Sequence, residues 1–287
     1  MRTRLAAGLL LLTAPLAAQQ KIDRRIAIAP DASIRITNMA GITRITGWDV
    51  DSISVTGAMP AGAAFFFGGK GQFSKMGVER KDETLAEPGS TLEIKVPRGA
   101  RVWVKSGTAS VEVTGLRVEV ECASVSGSIR VEGGLKLLIA ESMEGNLSAS
   151  GPIDVVRLKG GGGTITIRGA RGDIQATTVG GAIVAMDGAV VRARLETVSG
   201  TISYDGSVDP RGTLESVTHS GDVTLRLPPE ISAEFDLESF DGAVFFGLAS
   251  KGAEKPFRGK PMSFVTGEGG SQVTVRSFKG EIRILRR

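Results

Sequence analysis

The side chains able to do chemistry in this sequence are few, and their spacing limits what they can do. His219 is the sole histidine, with Ser220 and Asp222 close behind it. Nucleophilic hydrolysis needs hydroxyl, imidazole and carboxylate in one hydrogen-bonded line, whereas adjacent strand residues point to opposite faces. A metal centre uses several His, Cys or carboxylate ligands, and a lone imidazole does not supply them. Cys122 is the sole cysteine, so an internal disulfide is excluded. Asp173, Asp222 and Asp241 stand beside glycines on separate repeats, which does not set up the two facing carboxyls of a glycosidase. Gly68-Gly69-Lys70-Gly71 has the wrong spacing for a phosphate loop, and Gly71 stands where Ser or Thr would hold Mg²⁺. Gly160 to Gly163 lacks the aspartates of calcium-binding nonapeptide repeats. These observations predict no catalytic set, no cofactor and no metal site.

The elements that must carry these residues announce themselves by period. Nine times the chain returns to a pattern based on Ser or Thr, an apolar residue, any residue, Gly, any residue, then Ile, Val or Leu, six of the copies fitting it in full. Examples are Ser124 to Ile129, Ser142 to Leu147 and Thr197 to Ile202. The central residues are Ala109, Gly127, Gly145, Gly163, Gly181, Gly200, Gly221, Gly242 and Gly280, at spacings of 18, 18, 18, 18, 19, 21, 21 and 38. A fixed period near 20 residues marks a solenoid. With 39 glycines, few aromatics and no helical periodicity, the chain reads as all-β. The predicted fold is a parallel β-helix or β-solenoid wound from single strands, with rungs of about 18–21 residues. It has a capped N-terminus and two longer hairpin-like excursions.

Counting from the central glycine as zero, positions +2 and +4 are apolar or small throughout, as are −5 and −7. The change of parity between −5 and −2 requires a bend at the hydroxyl residue of −3, whose side chain can bond neighbouring backbone groups. This register predicts inward positions at −7, −5, −2, +2 and +4, which puts Cys122 and His219 in core slots. Stacked at about 4.8 Å per rung, roughly nine coils make a rod about 40 Å long. The expected order is an N-terminal cap and first coil in residues 19–57, an excursion in 58–90, regular rungs in 91–244, a second excursion in 245–272, and a final rung in 273–287 that closes the far end.

Residues 1–18 read as a secretory signal: Arg2 and Arg4, a short apolar run, then Leu16-Ala17-Ala18 before Gln19. No stretch approaches a membrane span of about 20 apolar residues. The mature chain is therefore expected outside the cytoplasm, in the periplasm, on the outer envelope or secreted. Without Arg2 and Arg4 its net charge is +2, with no dense Lys/Arg block, which disfavours a nucleic-acid partner.

Two surfaces are candidates for interaction. The excursions hold eight of the eleven phenylalanines, among them Phe65, Phe66, Phe67, Phe73, Phe257 and Phe264. Three consecutive phenylalanines cannot all point inward from a strand, so they need a lateral partner, within the chain or beyond it. The outward positions +1 and +3 give a strip of short polar groups, including Ser128, Asn146, Thr164, Thr166, Thr201 and Ser203. Such an array could meet a glycan or another repetitive surface, and Ser and Thr are also ordinary exposed strand residues.

The start Ile34 to Gly41 through Gly47-Trp48-Asp49, with repeats such as Thr197 to Ile202, resembles a bacterial adhesin-like β-strand-repeat family, the domain of unknown function 4097. The resemblance implies a non-enzymatic β-solenoid facing the cell envelope, with an envelope protein or glycan surface as partner and no catalytic residues to carry over. Two alternatives stay open: a carbohydrate-active β-helical enzyme and, from the resemblance alone, a periplasmic accessory of an envelope-stress system.

Overall fold

Each rung is built from two short strands that meet at the glycine corner. In the first wall, Glu119–Ser124, Leu137–Ser142 and Val155–Gly160 run parallel and in register, so that Val120, Leu138 and Val156 stack. In the second, Ile129–Glu132, Leu147–Ser150 and Ile165–Arg168 do the same, stacking Ile129, Leu147 and Ile165. The strands exist because apolar residues alternate with polar ones on both sides of the corner, and parallel stacking buries each ladder under the next. The computed structural model describes residues 19–80, 89–248 and 256–287, and the signal sequence read from residues 1–18 lies outside them. The described chain is an all-β solenoid with one continuous core running through it.

Positions −7, −5, +2 and +4 point inward as the register predicts, with Val120, Cys122, Ile129 and Val131 all buried. A third inward column comes from the turn between rungs: Leu116, Leu135, Ile153 and Ala170. That turn is made by residues in positive φ, Gly115, Gly151 and Gly169 at 71°, 110° and 72°. The next rung places Asp187 in the same slot, at φ 57°.

The two ends depart from chain order. The last strands, Ser271–Ser277 and Ile282–Arg286, do not close the rod. They lie between the rung of residues 213–226 and the rung of residues 233–246, pairing in parallel with both. The outermost rung therefore comes earlier in the sequence. The N-terminal end mirrors this: residues 33–48 sit between the rung of 101–114 and an outer rung supplied by 73–78 and Ser90–Pro97. Each end thus tucks a chain-terminal rung one layer in.

Both ends also change strand direction. Ser52–Met59 runs antiparallel to Ser90–Pro97 and to residues 20–27. At the other end Met262–Thr266 and Phe257–Arg258 run antiparallel to Ala233–Ser239 and Ala243–Phe246. An open parallel edge is a template for further strands, and antiparallel cover blocks it. Residues 257–258 and 262–266 of the second excursion are this cover at one end and Ser52–Met59 at the other, while residues 73–78 of the first excursion pair in parallel within the outer rung.

Candidate interaction surfaces

The corner is the site from which every surface feature follows. At −3 the hydroxyl is buried and works in two directions. Ser142 Oγ accepts from the Gly145 N–H at 3.0 Å and donates to the Gly127 carbonyl of the neighbouring rung at 3.3 Å. Ser239 does the same with Gly242 N–H and Gly280 O, at 3.0 and 2.8 Å. At Gly200 the central residue must be glycine because a Cβ there would fall 1.8 Å from the Gly181 carbonyl oxygen, whereas the first of these rungs accepts the methyl of Ala109. Turn chemistry and rung stacking are therefore one device.

Position −2 corrects the register read from sequence. It does not share the inward face with +2 and +4; it stands on the outer edge of the bend. Met143 is 65% exposed, Phe240 66% and Phe278 42%, and Val125, Val179, Val198 and His219 are exposed beside them. His219 is therefore not a core residue. Its ring stacks on Phe278 at 5.0 Å, and Phe278 stacks on Phe240 at 5.0 Å, with interplanar angles of 6° and 4°. Backbone hydrogen bonds from each corner to the next fix the order of the column as 125, 143, 161, 179, 198, 219, 278, 240. No carboxylate forms an ion pair or hydrogen bond with His219 among those of the described residues.

Cys122 occupies the core slot predicted for it. Burial, reinforced by Glu121, pushes its thiol up to about 12, so it is held as a neutral, unreactive thiol. Asp222 and Asp241 are exposed at separate corners, and Asp222 Oδ1 accepts the Glu281 N–H at 2.8 Å. Asp173 lies in a shallow groove of about 800 Å³ on the first wall, with Arg192, Arg194, Glu196 and Glu215 on adjoining rungs. Both Asp173 oxygens accept from Arg192, and Arg194 pairs with Glu196 and Glu215 at 2.6 and 3.3 Å. Among the described residues, no group of three or more His, Cys, Asp or Glu side chains is placed to hold a metal ion.

The predicted phenylalanines separate into two kinds. Phe65 and Phe67 are half-buried against the core, and Phe66 lies under the Lys75 ammonium at 5.3 Å. Phe264 packs on Phe235 and Phe246 at 5.0 and 4.1 Å. By contrast Phe73 is 43% and Phe257 50% exposed. Phe73 and Trp103 both lie against the Arg35 guanidinium, at 5.7 and 5.8 Å. Glycines in positive φ at 69 and 71 turn the chain between the two groups. The first excursion also carries a charged run from Glu79 to Glu83, of which residues 81–83 lie outside the described residues.

The polar strip lies on the outer face of the second wall. Ser148, Thr166 and Ser203 share one outward ladder, interrupted by Val184. Ser128, Asn146, Thr164 and Thr201 are exposed at +1 beside them, and Asn146 accepts the Thr164 N–H at 2.9 Å. The column missed by sequence reasoning is the one at −2. Its apolar residues are visible in the sequence, but apolar character alone does not imply burial.

No curated protein matches the chain. Two solved structures are similar at 10% identity, each over 94% of this chain: a candidate cell adhesion protein from Clostridium sporogenes, covered over 100% of its length with a TM-score of 0.26, and a candidate adhesin from Bacteroides fragilis, covered over 99% with a TM-score of 0.50. The first score is too low to bear on the fold, and the second likeness speaks to the fold alone. The Toastrack DUF4097 family matches residues 49–285. With nearly the whole repeat array inside that match, from just after the Gly41–Trp48 strand to the last rung, this chain belongs to the Toastrack DUF4097 family.

Proposed function

We propose that the chain is a non-enzymatic, exported β-solenoid that makes adhesin-like contacts at the bacterial envelope, its outer second wall meeting a repetitive glycan or protein surface. The supporting observation is the ladder of short polar groups at 128, 146, 164, 166, 201 and 203, held by a rigid parallel wall. Polar groups repeating at about 4.8 Å on a preformed face lose little conformational freedom on binding. The candidate-adhesin description of the Bacteroides fragilis structure agrees with this reading. The side chains with chemical potential already have structural employment: Cys122 in the core, His219 in a ring stack, Asp173 on Arg192.

The test is retention of the purified chain on isolated envelope material. Thr166→Lys with Ser203→Lys should reduce retention about 10-fold without altering the melting temperature. Equal retention would remove the strip from the function. Export is tested by fractionation: loss of residues 2–18 should leave the protein in the cytoplasm.

One observation favours a second reading, an enzyme acting on polysaccharide. The groove beside Asp173 does gather acids and guanidinium groups from neighbouring rungs. Release of reducing ends from envelope or plant polysaccharides, lost in Asp173→Asn, would establish it and displace the first reading.

A further inference from the structure

The column at −2 poses a question that the envelope reading does not answer. An outer corner is the cheapest place in a solenoid to put a charge, and yet it carries Val, Met or Phe on most rungs. Exposed apolar groups in a continuous row mark a contact. We propose that this ridge is a homodimer interface, in which a second copy of the chain packs against it antiparallel.

The geometry commits to that occupant by size and by charge. One half of the ridge is Val125, Met143, Gly161 and Val179; the other, in spatial order, is Val198, His219, Phe278 and Phe240. Turn a second copy end over end about a point between Val179 and Val198. Then Val125 faces Phe240, Met143 faces Phe278, and Gly161 faces His219. Phe240 and His219 meet the smaller Val125 and Gly161, Val179 meets Val198, and Met143 offers a thioether to the Phe278 ring. The notch at Gly161 is fixed by the backbone, since a Cβ there would fall 2.2 Å from the Met143 carbonyl.

The flanks agree independently. Met143 lies between Glu141 and Glu144 in its rung, and Phe278 lies between Arg276 and Lys279, all four charges exposed. In the antiparallel arrangement Glu141 meets Arg276 and Glu144 meets Lys279. Within one chain Glu141 already pairs with Lys159 at 3.2 Å and Arg276 with Asp236 at 3.7 Å. The cross-copy contact would join these into one network of alternating sign. A parallel pair would instead set Glu141 against Glu144 and Arg276 against Lys279, and would leave Phe240 on Phe240 and Gly161 on Gly161. Opposite charges on both sides of the same step select the antiparallel register.

A saccharide is the less fitting occupant. Pyranose recognition uses the open face of an aromatic ring, and here the faces of Phe278 are covered by His219 on one side and Phe240 on the other. A ring stack presents edges, which suit packing against side chains. Seven steps of about 4.8 Å make a strip about 34 Å long. With flanks it buries on the order of 1,200 Å² in total, the low end for a specific interface, so micromolar affinity is expected.

Sedimentation velocity on the full chain from about 1 to about 200 µM tests this. The expected result is a concentration-dependent dimer, weakened at least 10-fold by Phe278→Glu. Lys279→Glu and Glu144→Lys should each weaken it severalfold, and the two together should restore it. A chain with Met143→Cys and Phe278→Cys should form an intermolecular disulfide under mild oxidation. Those positions are five rungs, about 24 Å, apart within one chain. Thermal melts verify that the variants fold. A monomer at about 200 µM, or a dimer indifferent to Phe278→Glu, overturns the proposal. Rapid cross-linking of Met143→Cys alone overturns the antiparallel register.

Discussion

Two columns run along the same corner, two residues apart in the chain, and they are regular for opposite reasons. At position zero the backbone of one rung crosses the next so closely that a single carbon would fall 1.8 Å from the Gly181 oxygen at Gly200. At −2 the side chain points away from everything in its own rung, and Val198 is half exposed. The first column is dictated by the fold. The second is allowed to vary and yet is Val, Met or Phe at six of its nine positions. Sequence regularity alone does not distinguish these causes, but substitution does.

The largest effect should come from crossing between the columns with equally small changes. Gly200→Ala adds one methyl where the adjoining rung's backbone must move, and we expect at least about 3 kcal/mol of destabilisation by urea unfolding. Val198→Ser, two residues earlier, should stay within about 0.5 kcal/mol, the range of exposed substitutions. A Val198→Ser protein as unstable as Gly200→Ala would mean that the outer column is structural after all.

The inner wall makes a second contrast, this time in pH. Cys122 has a thiol pushed up from its ordinary 9.0 to about 12, mainly by burial. Between those values the unfolded chain gives up the proton and the folded chain keeps it, so stability falls as pH rises through that window. The slope is about 1.4 kcal/mol per pH unit from this group. Cys122→Ala should remove that slope when the two proteins are compared between pH 9 and 11. Identical slopes would show that the thiol titrates alike in both states.

A smaller gain should come from Ser216, which sits at −5 where other rungs carry Val, Leu, Ala or Cys. Its hydroxyl is fully buried with no hydrogen-bond partner among the described residues. Removing it spares a desolvation cost, so Ser216→Ala should stabilise the fold by about 1 kcal/mol. The opposite sign in a thermal melt would mean that the hydroxyl is satisfied in solution.

How much of this was legible in the sequence follows from where alternation holds. Val120, Cys122, Ile129 and Val131 could be placed because each belongs to a strand, and strands alternate. Val125 and Met143 could not, because −2 lies inside the bend, where parity counted back from +2 has no meaning. Apolar character did not help, since buried sites are apolar far more reliably than apolar residues are buried. The swapped rungs at the ends were hidden for a different reason. Gly242 and Gly280 carry the same corner motif, and nothing local says that 280 stacks on 221 and 242 on 280. The strand pairings reveal it, together with the Ser239 bond to Gly280 and the Ser277 bond to Gly221. The candidate surfaces divide likewise: the hydroxyl strip was readable from register, whereas the packing of Phe264 on Phe235 needed the fold.

The smallest expected effect tests whether the turn column resembles the glycine corner or the outer ridge. Gly115, Gly133, Gly151 and Gly169 occupy the slot six residues after the central position, in positive φ, and Asp187 takes that slot at φ 57°. Aspartate tolerates this conformation better than most residues but at a cost relative to glycine. It returns something through contacts with Arg168 and Arg287, at 3.7 and 3.2 Å, on side chains about half exposed. Exposed pairs are worth little, so the backbone term should win narrowly. Asp187→Gly is therefore expected to leave stability unchanged or raise it by up to about 0.5 kcal/mol. Asp187→Val, which keeps neither the tolerance nor the pairs, should lower it by about 1–2 kcal/mol. If Asp187→Gly destabilised as much as Asp187→Val, the arginine contacts would be holding the C-terminal rung in place. The slot would then belong with the features that determine rung order, rather than with the turn geometry shared by its four glycine neighbours.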